Sequence, residues 1–173
     1  KLLHPARPGH RVHSYDSSRA HIVASVENSL RALRTDRLDM LLLHRPDALL
    51  DADEVAEAFE RLKAAGKVLS FGVSNYSPAQ FDLLNARTPL RTNQVELNPL
   101  NIGVLNDGTL DQAQRLELRP MIWSPLAGGR LFSDGNDQAQ RVRQALQTAA
   151  DARGVSLATA AYAWVLRHPS RPL

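Results

Sequence analysis

An apolar run that breaks off sharply is the clearest feature of the chain. Between Leu38 and Leu43 only Asp39 is polar, and the residues from His44 to Asp47 are then polar or proline. Such a run, bounded by a proline, is typical of a strand buried on both faces, as in a parallel sheet. His44 therefore lies at the carboxyl end of the strand, where α/β proteins bind ligands. It is the candidate active group, although a histidine there can also serve only to hydrogen-bond a neighbouring backbone group.

The same alternation of apolar strands and helically spaced apolar residues continues along the chain. Further strands are predicted over Val68 to Val73, Thr92 to Leu97 and Arg119 to Trp123. The predicted helices are Ile22 to Leu33 after a Ser17 or Ser18 cap, Val55 to Ala65 after an Asp51 or Asp53 cap with a stop at Gly66, Phe81 to Leu84 after Ser77 and Pro78, Leu105 to Leu118 with Asp107 as a cap, Gln138 to Arg153, and Ser156 to Arg167. A Gly-rich loop is expected from Ala127 to Asn136, and Tyr162 and Trp164 are expected in the core or against the sheet.

Strands that alternate with helices through short connections indicate βαβ units and a parallel sheet. A doubly wound sheet would place a Gly-rich phosphate loop after its first strand, and the sequence has no G-x-G-x-x-G. A (β/α)₈ barrel instead spreads its site over several strand ends, which fits the polar residues found there. A complete barrel takes about 250 residues. We therefore expect one domain over 1–173, supplying roughly the central half of a barrel, with an irregular arm over 1–16.

Composition narrows the function classes. Of 173 residues, 43% are hydrophobic and 23% charged, with a net charge of +3, which is ordinary for a soluble globular domain. Arginines are scattered and aromatics are only 5%, so nucleic-acid binding has little support. The absence of cysteine excludes disulfides and thiolate metal sites and fits a cytoplasmic protein. No apolar stretch approaches the roughly 18 residues of a membrane span, and no carboxylate–histidine spacing predicts a metal site.

Four motifs in order resemble the aldo-keto reductase family. They are the stretch from Leu38 to Asp47, Gly66 and Lys67 followed by Phe71 to Asn75, Asn93 to Glu96, and Trp123 to Leu126. The sequence around His44, together with the Gly-Gly-Arg-Leu-Phe at 128–132, is most similar to the bacterial oxidoreductase branch. The resemblance implies a (β/α)₈ barrel fold. It also implies that small-molecule aldehydes and ketones are the substrates and that NADPH is the cofactor, with NADH as the alternative.

The resemblance also implies roles for individual residues. His44 matches the catalytic histidine that hydrogen-bonds the substrate carbonyl oxygen, and Ser74, Asn75 and Gln94 match the positions that hold the nicotinamide carboxamide. A primary amide needs donors and acceptors, which Asn and Gln side chains provide. From residue type alone, Ser74 and Asn75 could equally form a turn, and Gln94 could be a buried strand residue.

The remaining matches concern the other parts of the cofactor. Trp123 matches the aromatic residue on which the nicotinamide ring stacks. Ser124, Leu126, Gly128 and Gly129 match the loop along the pyrophosphate, where glycines let backbone N–H groups approach phosphate oxygens, and Arg130 adds a charged contact. Considered alone, the tryptophan could be core packing and the arginine an exposed loop charge.

The family's other catalytic groups do not match this chain. The family uses a tyrosine acid whose pKa is lowered by a lysine paired with an aspartate, and these belong to strands expected before Leu38. Lys1 is a weak match for that lysine, and Tyr15 lies too close to His44 in sequence to be the acid. The adenosine-phosphate site is expected beyond Leu173. The segment alone is thus expected to be inactive. The alternative is a non-catalytic, nucleotide-binding or regulatory protein of the same fold.

Overall fold

The computed structural model describes residues 15–133 and 135–173. It divides into two compact units, one up to Asn93 and one from Gln94 onward, each of which is taken by itself below. The expectations for Lys1 and for most of the arm lie outside the described residues. The prediction of a single domain over 1–173 stays a prediction.

The observed elements follow the predicted order. The helices are α1 Arg19–Leu33, α2 Ala52–Ala64, α3 Pro78–Asn85, α4 Thr109–Arg115, α5 Arg130–Ser133, α6 Asp137–Asp151 and α7 Leu157–Leu166, and the strands are β1 Leu38–Leu43, β2 Val68–Ser74, β3 Asn93–Glu96 and β4 Met121–Trp123. None of the helices in the described part of the chain is long and apolar enough to cross a bilayer.

Side-chain caps begin the helices of the first unit where the sequence predicted them. The Ser18 hydroxyl accepts a hydrogen bond from His21 N–H, and Asp51 caps α2. Ser77 caps α3 through a capping box with Gln80, and Pro78 occupies the first helical position. Each cap satisfies N–H groups that have no partner inside the helix.

Strands β1 and β2 are parallel neighbours, with Leu41 opposite Phe71 and Leu42 opposite Gly72. Leu41, Leu42 and Leu43 are buried, as predicted for a strand inside the fold. Gly72 is required for close packing, since a Cβ there would lie 2.6 Å from Leu42 Cδ2 and 2.8 Å from the Thr92 carbonyl oxygen. The adjacent backbone hydrogen bond, from Val73 N–H to the Thr92 carbonyl oxygen, is 3.0 Å long.

Three apolar residues within or at the end of the predicted helices are exposed. Leu33 is the last residue of α1 and precedes Arg34, whose left-handed conformation ends the helix. Leu83 lies off the face formed by the buried Phe81 and Leu84, which are one helical turn apart. Ala65 is exposed at the end of α2.

In the second unit, β3 and β4 are parallel neighbours, with Gln94 opposite Met121 and Glu96 opposite Trp123. The single helix predicted from Leu105 to Leu118 was wrong. A 3₁₀ turn at Gly103–Leu105 precedes α4, which begins only at Thr109. Gly108, with φ of +83°, separates the two, and Asp107 accepts from Thr109 N–H at 2.9 Å.

The segment predicted as a Gly-rich loop contains helical structure. A 3₁₀ turn at Ala127–Gly129 leads into α5. Leu131 in α5 is fully buried in a cluster with Leu146 and Ala161, and this packing stabilises the short helix. The expectation for Tyr162 and Trp164 was also wrong. Both are exposed, whereas α7 buries Ala161 and Val165.

Candidate functional site

His44 directly follows β1 and is half-buried. Its ring makes an edge-on contact with Tyr15, at 6.3 Å between centroids and 77° between planes. A side-on aromatic contact restricts how the imidazole can turn. The sequence analysis treated Tyr15 only as a candidate proton donor, so it did not predict this contact.

Asp47 anchors the loop that carries His44. Its carboxylate accepts from the backbone N–H of Ser17 at 3.0 Å and from the Ser17 hydroxyl at 2.8 Å. It also accepts from Leu49 N–H at 2.9 Å. The loop after β1 is therefore tied to the segment before α1, which includes Tyr15. Charge-assisted bonds of this kind are about twice as strong as neutral ones.

The loop after β2 brings Ser74 and Asn75 together. Ser74 is fully buried at the last position of the strand, and Asn75 is half-buried with φ of +60°. Asn75 Nδ2 lies 2.9 Å from Ser74 Oγ, to which it donates. Asparagine tolerates the left-handed conformation better than most residues, so this residue type suits the turn.

Asn93, which the sequence did not assign to the site, holds the same loop. Its Nδ2 donates to the Tyr76 carbonyl oxygen at 2.7 Å, and its Oδ1 accepts from Tyr76 N–H at 3.4 Å. The side chain thus pairs both backbone polar groups of the residue that follows Asn75. Asn93 is buried, which makes these bonds costly to lose.

Tyr76 is itself unusual. Its side chain is only 3% exposed, and no group in the described residues forms a hydrogen bond with its hydroxyl. Burial raises the pKa of the Tyr76 phenol above its usual range, and the Asp47 carboxylate raises that pKa further. The hydroxyl therefore stays protonated at neutral pH.

In the second unit, one face of the β3–β4 pair is lined by predicted site residues. Asn93 and Val95 are buried, whereas Gln94 and Glu96 are half-buried on the opposite face. Trp123 is opposite Glu96 and is also half-buried. Because residues in register on parallel strands point to the same face, Gln94, Glu96 and Trp123 share one face of this pair.

The loop after β4 is built from left-handed residues. Ser124, Ala127, Gly128 and Gly129 have φ values of +51°, +56°, +64° and +92°. A Cβ added at either glycine would meet nothing within 4 Å, so the backbone at both positions faces open space. Arg130 is exposed, and its Nε donates to the Ala127 carbonyl oxygen at 3.2 Å. The arginine therefore closes this loop on itself.

Asn98 is a second buried asparagine that the sequence did not single out. Its Nδ2 donates to Glu96 Oε1 and to the Ser124 carbonyl oxygen, at 3.1 Å each. Its Oδ1 accepts from Leu100 N–H at 3.0 Å. The only sequence feature that pointed to Asn98 is its position just after the predicted strand from Thr92 to Leu97, among the polar residues at the end of that strand.

The described residues contain no cluster of three or more histidine, aspartate or glutamate side chains able to hold a metal ion. The roles predicted for His44 and for the cofactor-binding residues stay predictions.

Comparison with known proteins assigns the chain a family. A sequence profile of the aldo/keto reductase family matches residues 6–172. The oxidoreductase YdhF of Escherichia coli is 53% identical over 171 residues, covering 97% of this chain and 57% of YdhF. The uncharacterized oxidoreductase YcsN of Bacillus subtilis is 49% identical, covering 98% of this chain and 57% of YcsN. The chain thus spans about half the length of the curated relatives it matches.

The fold agrees with this assignment. A crystal structure of an aldo/keto reductase from Klebsiella pneumoniae, in complex with NADP and acetate, superposes with a TM-score of 0.78. The two are 34% identical, over 92% of this chain and 55% of that one. The predicted fold class, part of a (β/α)₈ barrel, is confirmed by this similarity, and β1–β2 and β3–β4 are each parallel pairs.

Proposed function

Because the chain belongs to the aldo/keto reductase family, we propose that the full-length protein containing it reduces aldehydes and ketones to alcohols with NADPH. The observation that carries the proposal is the position of the matched residues at strand ends. His44 directly follows β1, and Ser74 and Trp123 are the last residues of β2 and β4. Ligands of parallel barrels bind at this end of the strands.

The residues present fit a nicotinamide dinucleotide. Asn75 and Gln94 each offer an amide donor and an amide acceptor, which is the set that a primary carboxamide needs. Ser74 supports Asn75 by accepting its Nδ2–H group. The half-buried Trp123 offers a flat face for an aromatic ring. Gly128 and Gly129 leave the backbone of the next loop open to phosphate oxygens.

In the proposed reaction, His44 orients the substrate. A neutral imidazole N–H donates to the carbonyl oxygen and stabilises the negative charge that develops there. The bound cofactor would supply the hydride, and the proton of the product hydroxyl would come from the tyrosine acid that the family resemblance implies in the full-length protein. Asn75, Gln94 and Trp123 would hold the ring that carries it, so that one face would be presented to the carbonyl carbon. Tyr15 and Asp47 keep the His44 ring and its loop in place.

The test uses the full-length protein. Titration with NADPH and with NADH, followed by fluorescence, measures binding and cofactor preference, and loss of the NADPH absorbance with a nitrobenzaldehyde measures turnover. The proposal predicts both binding and turnover. Binding without turnover would favour the non-catalytic alternative, and absence of binding would contradict the proposal.

Two substitutions separate the proposed roles. His44→Ala should lower kcat by about 10²-fold, the usual loss for one donor to a developing oxyanion, with little change in NADPH affinity. Gln94→Ala should weaken NADPH binding more than it lowers kcat. His21→Ala in α1 and Gln114→Ala in α4 are matched controls and should resemble the unmodified protein. Equal effects of the two site changes on cofactor binding would contradict the assignment.

A further inference from the structure

The loop after β4 adopts a conformation that its own sequence disfavours. Ser124 and Ala127 are left-handed although neither is glycine, and this conformation costs a residue with a Cβ about 1–2 kcal/mol. The turn between them is closed by a hydrogen bond of 2.8 Å from Ala127 N–H to the Ser124 carbonyl oxygen. Such strain persists only where surrounding groups fix the backbone.

Asn98 is the group that fixes the backbone here. Its side chain is fully buried, and its Nδ2 is the second donor to the Ser124 carbonyl oxygen, at 3.1 Å. The partners on either side set the orientation of the amide. Glu96 Oε1 requires a donor and Leu100 N–H requires an acceptor, so only one of the two amide orientations satisfies both.

The strand register connects Asn98 to Trp123. Glu96 is opposite Trp123 in the β3–β4 pair, and Asn98 follows Glu96 by two residues. Asn98 therefore bonds the residue that comes directly after Trp123. The point at which the chain leaves β4 is set by a side chain that follows β3.

We propose that Asn98 is a positioning residue for the nicotinamide cofactor. By holding the Ser124 carbonyl oxygen, it fixes the face that Trp123 presents and the conformation of the backbone from Ser124 to Gly129. The inference rests on the proposed function, in which Trp123 and this loop contact the nicotinamide and the pyrophosphate. Asn98 itself acts through them.

The test compares variants of the full-length protein. Asn98→Asp keeps the size of the side chain and an acceptor for Leu100 N–H, but it loses both donors and sets a carboxylate against Glu96. We expect it to weaken NADPH binding by about tenfold, which corresponds to the loss of one hydrogen bond of about 1.4 kcal/mol. Asn98→Ser, which is smaller and also lacks the amide, carries the same expectation if the aspartate variant does not fold.

Binding of a cofactor fragment distinguishes a local effect of these substitutions from general damage to the protein, because general damage would weaken binding of the fragment as well. Binding of 2′-AMP, which lacks both the nicotinamide and the pyrophosphate, should be unchanged in the same variants. Asn101→Ala, in the same turn but at an exposed residue, should bind both compounds as the unmodified protein does.

Each outcome decides between two claims. Failure of the unmodified protein to bind NADPH would overturn the proposed function. NADPH binding that is normal in the unmodified protein and unchanged in the Asn98 variants would overturn only the positioning role. Equal loss of NADPH and 2′-AMP binding in a folded variant would also overturn it, because the damage would then be general.

Discussion

The loops after β2 and β4 both contain left-handed backbone, but different contacts hold it in place. Each contains left-handed residues, and each has a carbonyl oxygen that accepts from the Nδ2 of a buried asparagine, Asn93 at 2.7 Å and Asn98 at 3.1 Å. The first loop has one left-handed residue, Asn75, between two buried neighbours. The second has four, two of them glycines facing open space.

Because the two loops are held differently, substitutions in them should affect different properties of the protein. Burial and paired backbone groups fix the first loop, so changes there should lower the free energy of unfolding. The second loop is exposed at Gly128, Gly129 and Arg130, and it is held by the side-chain bonds from Asn98 and Arg130 to its carbonyl oxygens. Changes there should alter ligand binding more than stability. The following changes test this contrast.

The largest effect is expected at Gly72, in the strand that leads into the first loop. In Gly72→Ala the new methyl would lie 2.8 Å from the Thr92 carbonyl oxygen, which is backbone and cannot turn away. We expect a loss of about 3 kcal/mol, at the upper end of overpacking costs. Denaturant unfolding measures it, with Gly135→Ala, which meets no neighbour, as the control. Equal stability of the two variants would contradict the packing argument.

Asn93→Ala should be the next most severe. It leaves the N–H and the carbonyl oxygen of Tyr76 without their partner in a buried place, at about 1–3 kcal/mol for such a group. Asn98→Ala should cost less stability, because the Ser124 carbonyl oxygen keeps its bond from Ala127 N–H and lies in a half-buried loop. Unfolding curves of the two variants, measured side by side, test the order. A larger stability loss in Asn98→Ala would contradict the contrast between the loops.

Gly129→Ala should have a moderate effect on stability. The new methyl meets no atom, so the cost is that of the left-handed backbone, about 1–2 kcal/mol. The same substitution should weaken NADPH binding in the full-length protein, because the backbone relaxes away from its present shape. Unchanged affinity with reduced stability would remove this glycine from the proposed site.

The smallest effect at neutral pH is expected for Tyr76→Phe, since the hydroxyl that it removes makes no hydrogen bond within the described residues. The variant should differ at alkaline pH. Because the pKa of Tyr76 is raised in the folded state, the unfolded chain loses this proton first, and stability falls as the pH rises above about 10.

Tyr76→Phe should therefore reduce the alkaline loss of stability, whereas Tyr162→Phe, at an exposed tyrosine, should not. Thermal unfolding as a function of pH measures both. An unchanged alkaline slope in Tyr76→Phe would show that the phenol is accessible to solvent.

The sequence predicted the elements best where the signal is local. The apolar run of β1 and the caps Ser18, Asp51 and Ser77 depend on neighbours within a few residues, and the structure confirms them. The short helix α5 was missed because it depends on burial of Leu131 against Leu146 and Ala161, which are distant in sequence.

The candidate site shows the same limit. The residues matched by family motifs were named from the sequence, and the structure places each of them at or beside a strand end or in the loop after β4. The two asparagines that hold the loops were not assigned to the site. Asn93 bonds Tyr76 across 17 residues and Asn98 bonds Ser124 across 26, and no local pattern encodes such pairs.

The most direct test of the account is backbone amide hydrogen exchange of the full-length protein, with and without saturating NADPH. The account predicts slower exchange in two segments, Ser74 to Ser77 and Ser124 to Arg130, and unchanged exchange at the end of α6 around Asp151. Unchanged exchange in both loops, with NADPH bound, would contradict the claim that these residues bind the cofactor.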